Sequence, residues 1–295
     1  MRRRGAVQRN LTAYAFFLPF LGAFGIGVVA PLVYSVNLSL YQERMIGGKV
    51  FSGLDNYAKA FQDGLFHAGL GRVAVFFAIQ VPLMLGLALL AALAIDSGRL
   101  HAPGLFRIGI FVPYAVPGVV AALMWGYLYG DRFGLAGEVG DLLHTELPDL
   151  LSGSWMLASI GNIVTWSYVG YNMLIFYAAL RSIPRELYEA AEVDGAGAVR
   201  KAFSIKLPAL RPALLLATTF SVIGSFQLFN EPSVLQALAP AAVTTNYTPN
   251  MYAYSLAFDG RQFNYSAAVA VLLGLVTVIV AYVVQLATAR RERLL

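Results

Sequence analysis

Arg181–Pro212 reads RSIPRELYEAAEVDGAGAVRKAFSIKLPALRP. It is a polar island between two long apolar stretches, and the contrast with its flanks decides the fold. Of the 295 residues, 58% are hydrophobic and 13% charged, where a soluble domain carries about a quarter charged. The excess apolar mass is gathered in long blocks, as in an integral membrane protein. Cysteine is absent, which excludes disulfides, thiol catalysis and thiolate metal sites.

Outward from the island, candidate spans lie near 14–40, 73–95, 108–129, 155–180, 213–230 and 266–287. Most reach the ~20 residues needed to cross a hydrocarbon core, and the fifth is the shortest. Backbone groups in lipid must be satisfied within the segment, so the spans are expected to be helices. The expected fold is therefore all-α, six-helix and integral to the membrane, with residues 1–295 forming a single transmembrane domain. Arg2–Arg4 followed by an apolar run could open a signal peptide, but the run exceeds the ~7–15 residues of an h-region. It is expected to be an uncleaved first span.

The distribution of Lys and Arg orients the chain. With the N-terminus inside, fifteen of the 21 fall in cytoplasmic segments and six outside. The positive-inside rule then puts both termini, and the loop 181–211, in the cytoplasm. The loop Asp131–Ser154 agrees, with five acids against one Arg. The net charge of +5 is accounted for by this asymmetry and implies no nucleic-acid partner. Pro19, Pro31, Pro82, Pro113 and Pro117 interrupt the spans. Those at 113 and 117, in FVPYAVPGVV, fit either ordinary membrane-helix packing or a functional kink.

Catalytic and energy-coupling chemistry is missing. Gly48-Lys49 is followed by Val50 and lacks the rest of a phosphate-binding loop. His67, His101 and His144 fall in separate loops, so neither a metal site nor a catalytic dyad is expected. The second to sixth spans as drawn hold no Asp, Glu, Lys, Arg or His. Proton-coupled carriers usually place such groups at membrane depth. A self-sufficient carrier or channel is therefore the weaker alternative, and uphill transport would draw energy from another polypeptide.

Neutral polar and aromatic groups occupy the fourth and fifth spans instead. The fourth holds Asn162, Thr165, Trp166, Ser167, Tyr168, Tyr171 and Asn172. The fifth holds Ser221, Ser225, Gln227 and Asn230, with Phe220, Phe226 and Phe229 between them. Singly, such residues can be helix-to-helix glue. As a cluster they suit the pathway of a neutral hydroxylated solute such as a sugar.

Within the island, Pro184 fits a helix start and Glu186 favours the positive end of the dipole. Leu187, Ala190, Ala191 and Asp194 share a face by three-four spacing, which two alanines make low enough for a partner to approach. Gly195 can supply a left-handed cap. A second short helix can run over Ala198–Lys206, with Pro208 starting the fifth span. An interfacial lipid-bound helix would need a larger apolar side, and Glu189, Glu192 and Asp194 are unfavourable beside an anionic leaflet. Docking to a cytoplasmic partner fits better. Catalytic paired carboxylates are a poor third reading, since an exposed loop offers nothing to tune them.

Glu189-Ala190-Ala191, Gly195, Ile205 and Leu207-Pro208 resemble the EAA loop of permease subunits in binding-protein-dependent ABC importers. FSGLDNYAKAF, FVPYAVPGVVAALMWGYLY and GSFQLFNEPSVL resemble the sugar-permease branch related to maltose, glycerol-phosphate and lactose importers. The resemblance implies an ABC importer permease fold with a cytoplasmic coupling helix. It implies a heterodimer with a second permease, a cytoplasmic ATPase dimer carrying ATP and Mg, and an extracytoplasmic sugar-binding protein. The chain itself would be a non-catalytic subunit with no cofactor or metal. The ATPase-coupling set would be Glu186, Leu187, Glu189, Ala190, Ala191, Asp194, Gly195 and Ala196. Sugar contacts carried over by position fall near Ser167, Tyr168 and Tyr171, and near Ser221, Gly224, Ser225 and Leu228, where Leu228 replaces the family's Asn. Asn172, Gln227 and Asn230 join them from the cluster above. The solute class implied is a sugar, with disaccharide or oligosaccharide favoured.

Overall fold

The computed structural model describes residues 14–44, 48–130, 134–145 and 147–292. Arg2–Arg4 and Arg293 lie outside them. Among the described residues, four unbroken helices are long and apolar enough to cross a membrane: Tyr14–Ser39 (α1), Gly64–Asp96, Met156–Arg181 and Phe263–Ala287. Two further pairs are bent, Pro103–Ala115 with Gly118–Leu128 at 98° and Ala198–Ala209 with Arg211–Phe226 at 61°; counting each pair as one span gives six. The chain forms two compact units, one from the residues up to Asp63 with Ala253–Leu272, the other from Gly64–Tyr252 and the residues after Leu272.

In the first unit, α1 contains one π-helical stretch, Gly25–Val29, and is followed by the antiparallel strands β1 (Tyr41–Arg44) and β2 (Gly48–Phe51). Helix α2 (Asp55–Phe61) comes next. The Asn-Tyr pair of the quoted FSGLDNYAKAF segment has a structural task here. Buried Asn56 donates from Nδ2 to the carbonyls of Ser39 and Tyr41, at 2.7 and 2.9 Å. Tyr57 shares a 2.5 Å hydrogen bond with Ser39 Oγ. The two Asn56 bonds satisfy carbonyls left open at and just beyond the end of α1. Asn264 likewise donates to the Leu38 carbonyl at 2.9 Å.

The second unit holds α3 (Gly64–Asp96), α4 (Pro103–Phe111) and α5 (Gly118–Leu128). A short helix α6 (Leu135–Leu143) follows, then α7 (Met156–Arg181). The polar loop contributes α8 (Arg185–Val193) and α9 (Ala198–Ala209). Helices α10 (Arg211–Phe226) and α11 (Asn230–Leu238) complete the framework. Helix α12 (Pro249–Phe258) and helix α13 (Phe263–Glu292) end the described chain.

Helices α3 and α7 form the most extensive pair. Small residues let them close on one another: Ala88 and Ala92 of α3 are fully buried with Met173 and Phe176 of α7. Such close approach replaces the hydrophobic drive that lipid cannot supply. A second apolar cluster joins Ile160 and Ile163 of α7 to Leu235 of α11 and Leu228 before it.

Helices break at three places, one where the sequence left packing or a kink open and two that depart from the expectation. Between α4 and α5, the 3-10 turn Val112–Ala115 and extended Val116 and Pro117 turn the chain through 98°. Pro113 and Pro117 each lack a donor, so the ladder cannot run through. The fifth span starts at Arg211-Pro212, not at Pro208. Pro208 is carried by α9, because the π-helical Ala202–Lys206 just before it already widens the hydrogen-bond ladder. At its other end α10 stops at Phe226, after 16 residues and a rise of about 24 Å, short of a full crossing. Residues 227–229 then run non-helically into α11. Carbonyls freed there are satisfied by Thr248, which donates to Leu228 at 2.9 Å, and by Asn250, which donates to Phe226 at 3.4 Å. Irregular backbone that interrupts a membrane helix requires partners of this kind.

Candidate functional site

The break after α10 and the turn after α4 face a common cavity of about 360 Å³. Helix α7 supplies Val164, Tyr168, Tyr171 and Asn172, positions that follow one helical face. Helix α10 supplies Phe220, Ser221, Gly224 and Ser225, and the break adds Gln227, Leu228 and Phe229. Asn230 and Glu231 come from the first turn of α11, and Phe76, Gln80 and Met84 from α3. Tyr114 arrives from the 3-10 turn. Nine of the ten pathway residues expected from sequence thus surround one space. Ser167 is buried and lies to the side of the α7 face.

Close backbone packing sets the aromatic wall. A Cβ on Gly170 of α7 would lie 2.7 Å from the Ile110 carbonyl carbon and from the Phe111 Cα, and closer still to the Ile110 oxygen. Only glycine lets α7 touch the end of α4 here. That contact delivers Tyr114 onto Tyr171, stacked with centroids 4.9 Å apart, and against the edge of Tyr168 at 5.8 Å. Flat aromatic faces beside hydroxyl and amide groups match the apolar faces and hydroxyl rims of a sugar ring.

Some polar residues of the cluster serve packing instead. Asn162 donates to the Tyr129 hydroxyl at 2.8 Å, and that hydroxyl donates to the Ser159 carbonyl at 3.2 Å. Gln80 donates to Thr165 Oγ1 at 3.3 Å. Asn172 donates to the Tyr168 carbonyl at 3.0 Å, which fixes its amide at the cavity wall. Ser225 donates to the Ser221 carbonyl at 2.8 Å, leaving its oxygen lone pairs available.

Sequence reasoning missed Tyr114, Gln80 and Glu231. Glu231 sits one residue beyond the fifth span as drawn, so that span looked free of charge. The Glu-Pro pair at 231–232 is itself a helix-start signal, and it marks the break that brings the carboxylate to the cavity.

The polar loop forms the second element. Helix α8 starts after extended Pro184 and ends in a Schellman cap. Gly195 has φ +74°, its N–H donates to the Glu192 carbonyl at 3.0 Å, and the Ala196 N–H donates to Ala191 at 2.8 Å. Glu186, Leu187, Glu189, Ala190, Asp194 and Gly195 are exposed, while Ala191 and Ala196 are half-buried. Val193, Val199 and Phe203 are also exposed, at 89%, 72% and 69%.

This loop is braced against the membrane helices. Lys206 of α9 pairs with Asp96, the last residue of α3, at 2.5 Å, with both side chains largely buried. Asp96 stands at a helix C-terminus, where its charge is unfavourable alone. Tyr188 of α8 lays its ring beside the same lysine, 5.7 Å from centroid to Nζ. Burial first, and then the Asp96 charge, push the Tyr188 phenol above its ordinary pKa, so it stays protonated. By contrast, the Lys201–Glu192 pair at 2.7 Å has its carboxylate 64% exposed and contributes little.

Residues 85–294 match the model of the family described as binding-protein-dependent transport system inner membrane component. The chain belongs to that family, and is a multi-pass membrane permease. Its relatives include permeases of sugar transport systems. It is 30% identical to the lactose transport system permease protein LacF of Rhizobium radiobacter, over 98% of each chain. It is 32% identical to the diacetylchitobiose uptake system permease protein NgcF of Streptomyces coelicolor, over 94% of this chain and 84% of that one. In fold it resembles a chain of a bacterial ABC transporter involved in import of the acidic polysaccharide alginate, with a TM-score of 0.83, 19% identity and 98% and 99% coverage.

Proposed function

We propose that this chain is the transmembrane permease subunit of an ATP-driven importer for a sugar, with a disaccharide or oligosaccharide as cargo. It forms half of the translocation pathway beside a second permease. Both termini and the 181–211 loop face the cytoplasm. An ATPase dimer there binds the exposed face of α8, through Glu186, Leu187, Glu189, Ala190, Ala191 and Asp194, with Gly195 and Ala196 holding the cap. ATP and Mg act on that partner, and an extracytoplasmic binding protein delivers the sugar. The observation that carries the reading is a cavity lined, apart from Glu231, by neutral hydrogen-bonding and stacking groups, in the same unit as an exposed EAA loop braced to α3. The relatives' sugar cargoes support the solute class.

The test is ATP-dependent uptake of labelled disaccharides by the complete transporter in vesicles. Gly195→Asp and Glu189→Ala are expected to cut uptake at least about tenfold while the chain still inserts: at Gly195 φ +74° penalises any side chain with a Cβ, and Glu189→Ala removes an exposed carboxylate from the proposed docking face. Uptake at the wild-type rate by both variants, or uptake by this chain alone without an ATPase, would overturn the proposal.

A further inference from the structure

Glu231 is the one ionisable carboxylate or base among the residues that line the cavity. Lys, Arg and His are absent from that lining, and among the described residues Glu231 has no ion pair. Its position is built rather than incidental. A Cβ at Gly118 would lie 3.6 Å from Glu231 Oε1, so the carboxylate rests against the first residue of α5 while also sitting in the first turn of α11. Partial burial costs the anion hydration, and two helix N-termini oppose that cost. A carboxylate can thus be held in the wall without a cation to neutralise it.

We infer that Glu231 is a charge-selecting residue of the pathway, which admits neutral and cationic glycosides and disfavours those bearing a carboxylate, sulfonate or phosphate. The inference rests on the importer reading above and narrows its substrate class. An uncharged sugar meets Glu231 as a strong hydrogen-bond acceptor for its hydroxyls, beside the Tyr114–Tyr171 stack. An anionic sugar in the same cavity meets a like charge with no compensating base in this chain's lining. At an effective dielectric of about 20, like charges roughly 6 Å apart repel enough to shift an equilibrium by about 100-fold.

The experiment uses the complete transporter in liposomes with its binding protein held constant. It compares ATP-driven uptake of neutral di- and trisaccharides with that of the same chains bearing one uronate. Wild type is expected to favour the neutral sugars at least about tenfold. Glu231→Gln is expected to narrow that ratio about tenfold, and Glu231→Asp, which keeps the charge, to preserve it. Equal uptake of uronate and neutral chains by wild type, or an unchanged ratio in Glu231→Gln, would overturn the charge rule. Uptake of no saccharide at all by wild type would overturn the importer reading instead.

Discussion

Replacing Gly170 by alanine tests the packing that builds the aromatic wall. On propensity alone the change stabilises a helix by about 1 kcal/mol. In place, the new Cβ falls 2.7 Å from two backbone atoms of Ile110 and Phe111, and backbone cannot rotate away as a side-chain end can. The α4 terminus must therefore retreat by roughly 1 Å, and overpacking of this kind costs about 1–3 kcal/mol. The same shift opens the 4.9 Å Tyr114–Tyr171 stack and forfeits part of its ~0.5–1.5 kcal/mol. A net loss of roughly 1–2 kcal/mol is expected, because the steric and stacking terms outweigh propensity. Gly161 is the matched control on the same helix. Its Cβ would meet Gln80 and Phe76 side chains no nearer than 3.7 Å, so Gly161→Ala should be neutral or slightly stabilising. The assay is thermal unfolding of purified protein in detergent, followed by size-exclusion recovery, alongside sugar uptake. Gly170→Ala should lose several degrees of Tm and most uptake. Equal Tm for the two variants would refute the claim that α7 and α4 meet backbone to backbone.

Two further outcomes follow from the same geometry. Lys206→Met strands the largely buried Asp96 carboxylate and should cost about 2 kcal/mol or more. The Asp96→Asn, Lys206→Met double variant should recover much of that in the same unfolding assay, and strict additivity of the two single losses would refute the pairing. Gly224 lines the cavity and has no heavy atom within 4 Å of a built Cβ. Gly224→Ala should therefore leave stability within about 0.5 kcal/mol of wild type yet alter uptake or the size of sugar accepted; a fall in Tm with unchanged uptake would contradict its place on the wall.

The Arg181–Pro212 island shows what a sequence can carry alone. Its cap, its alanine face and its spacing are local, set by residues within a few turns of one another, so they are legible as text. The apolar blocks are equally local, because lipid imposes length and helicity on each separately. Along α7 the cavity face is legible too, since Tyr168, Tyr171 and Asn172 follow helical spacing. What the sequence could not state is how far a helix bends at its prolines. Pro113 and Pro117 were compatible with ordinary packing, and only the tertiary structure shows the 98° turn that presents Tyr114. Likewise Asn230-Glu231-Pro232 looked like the outer margin of a span, and only the break at 227–229 places Glu231 on the cavity. Composition and periodicity determined that this chain lives in lipid and exposes a polar handle. The direction of the chain after each break, set by contacts such as Gly170 on Ile110 and Thr248 on Leu228, decided which side chains share the cavity.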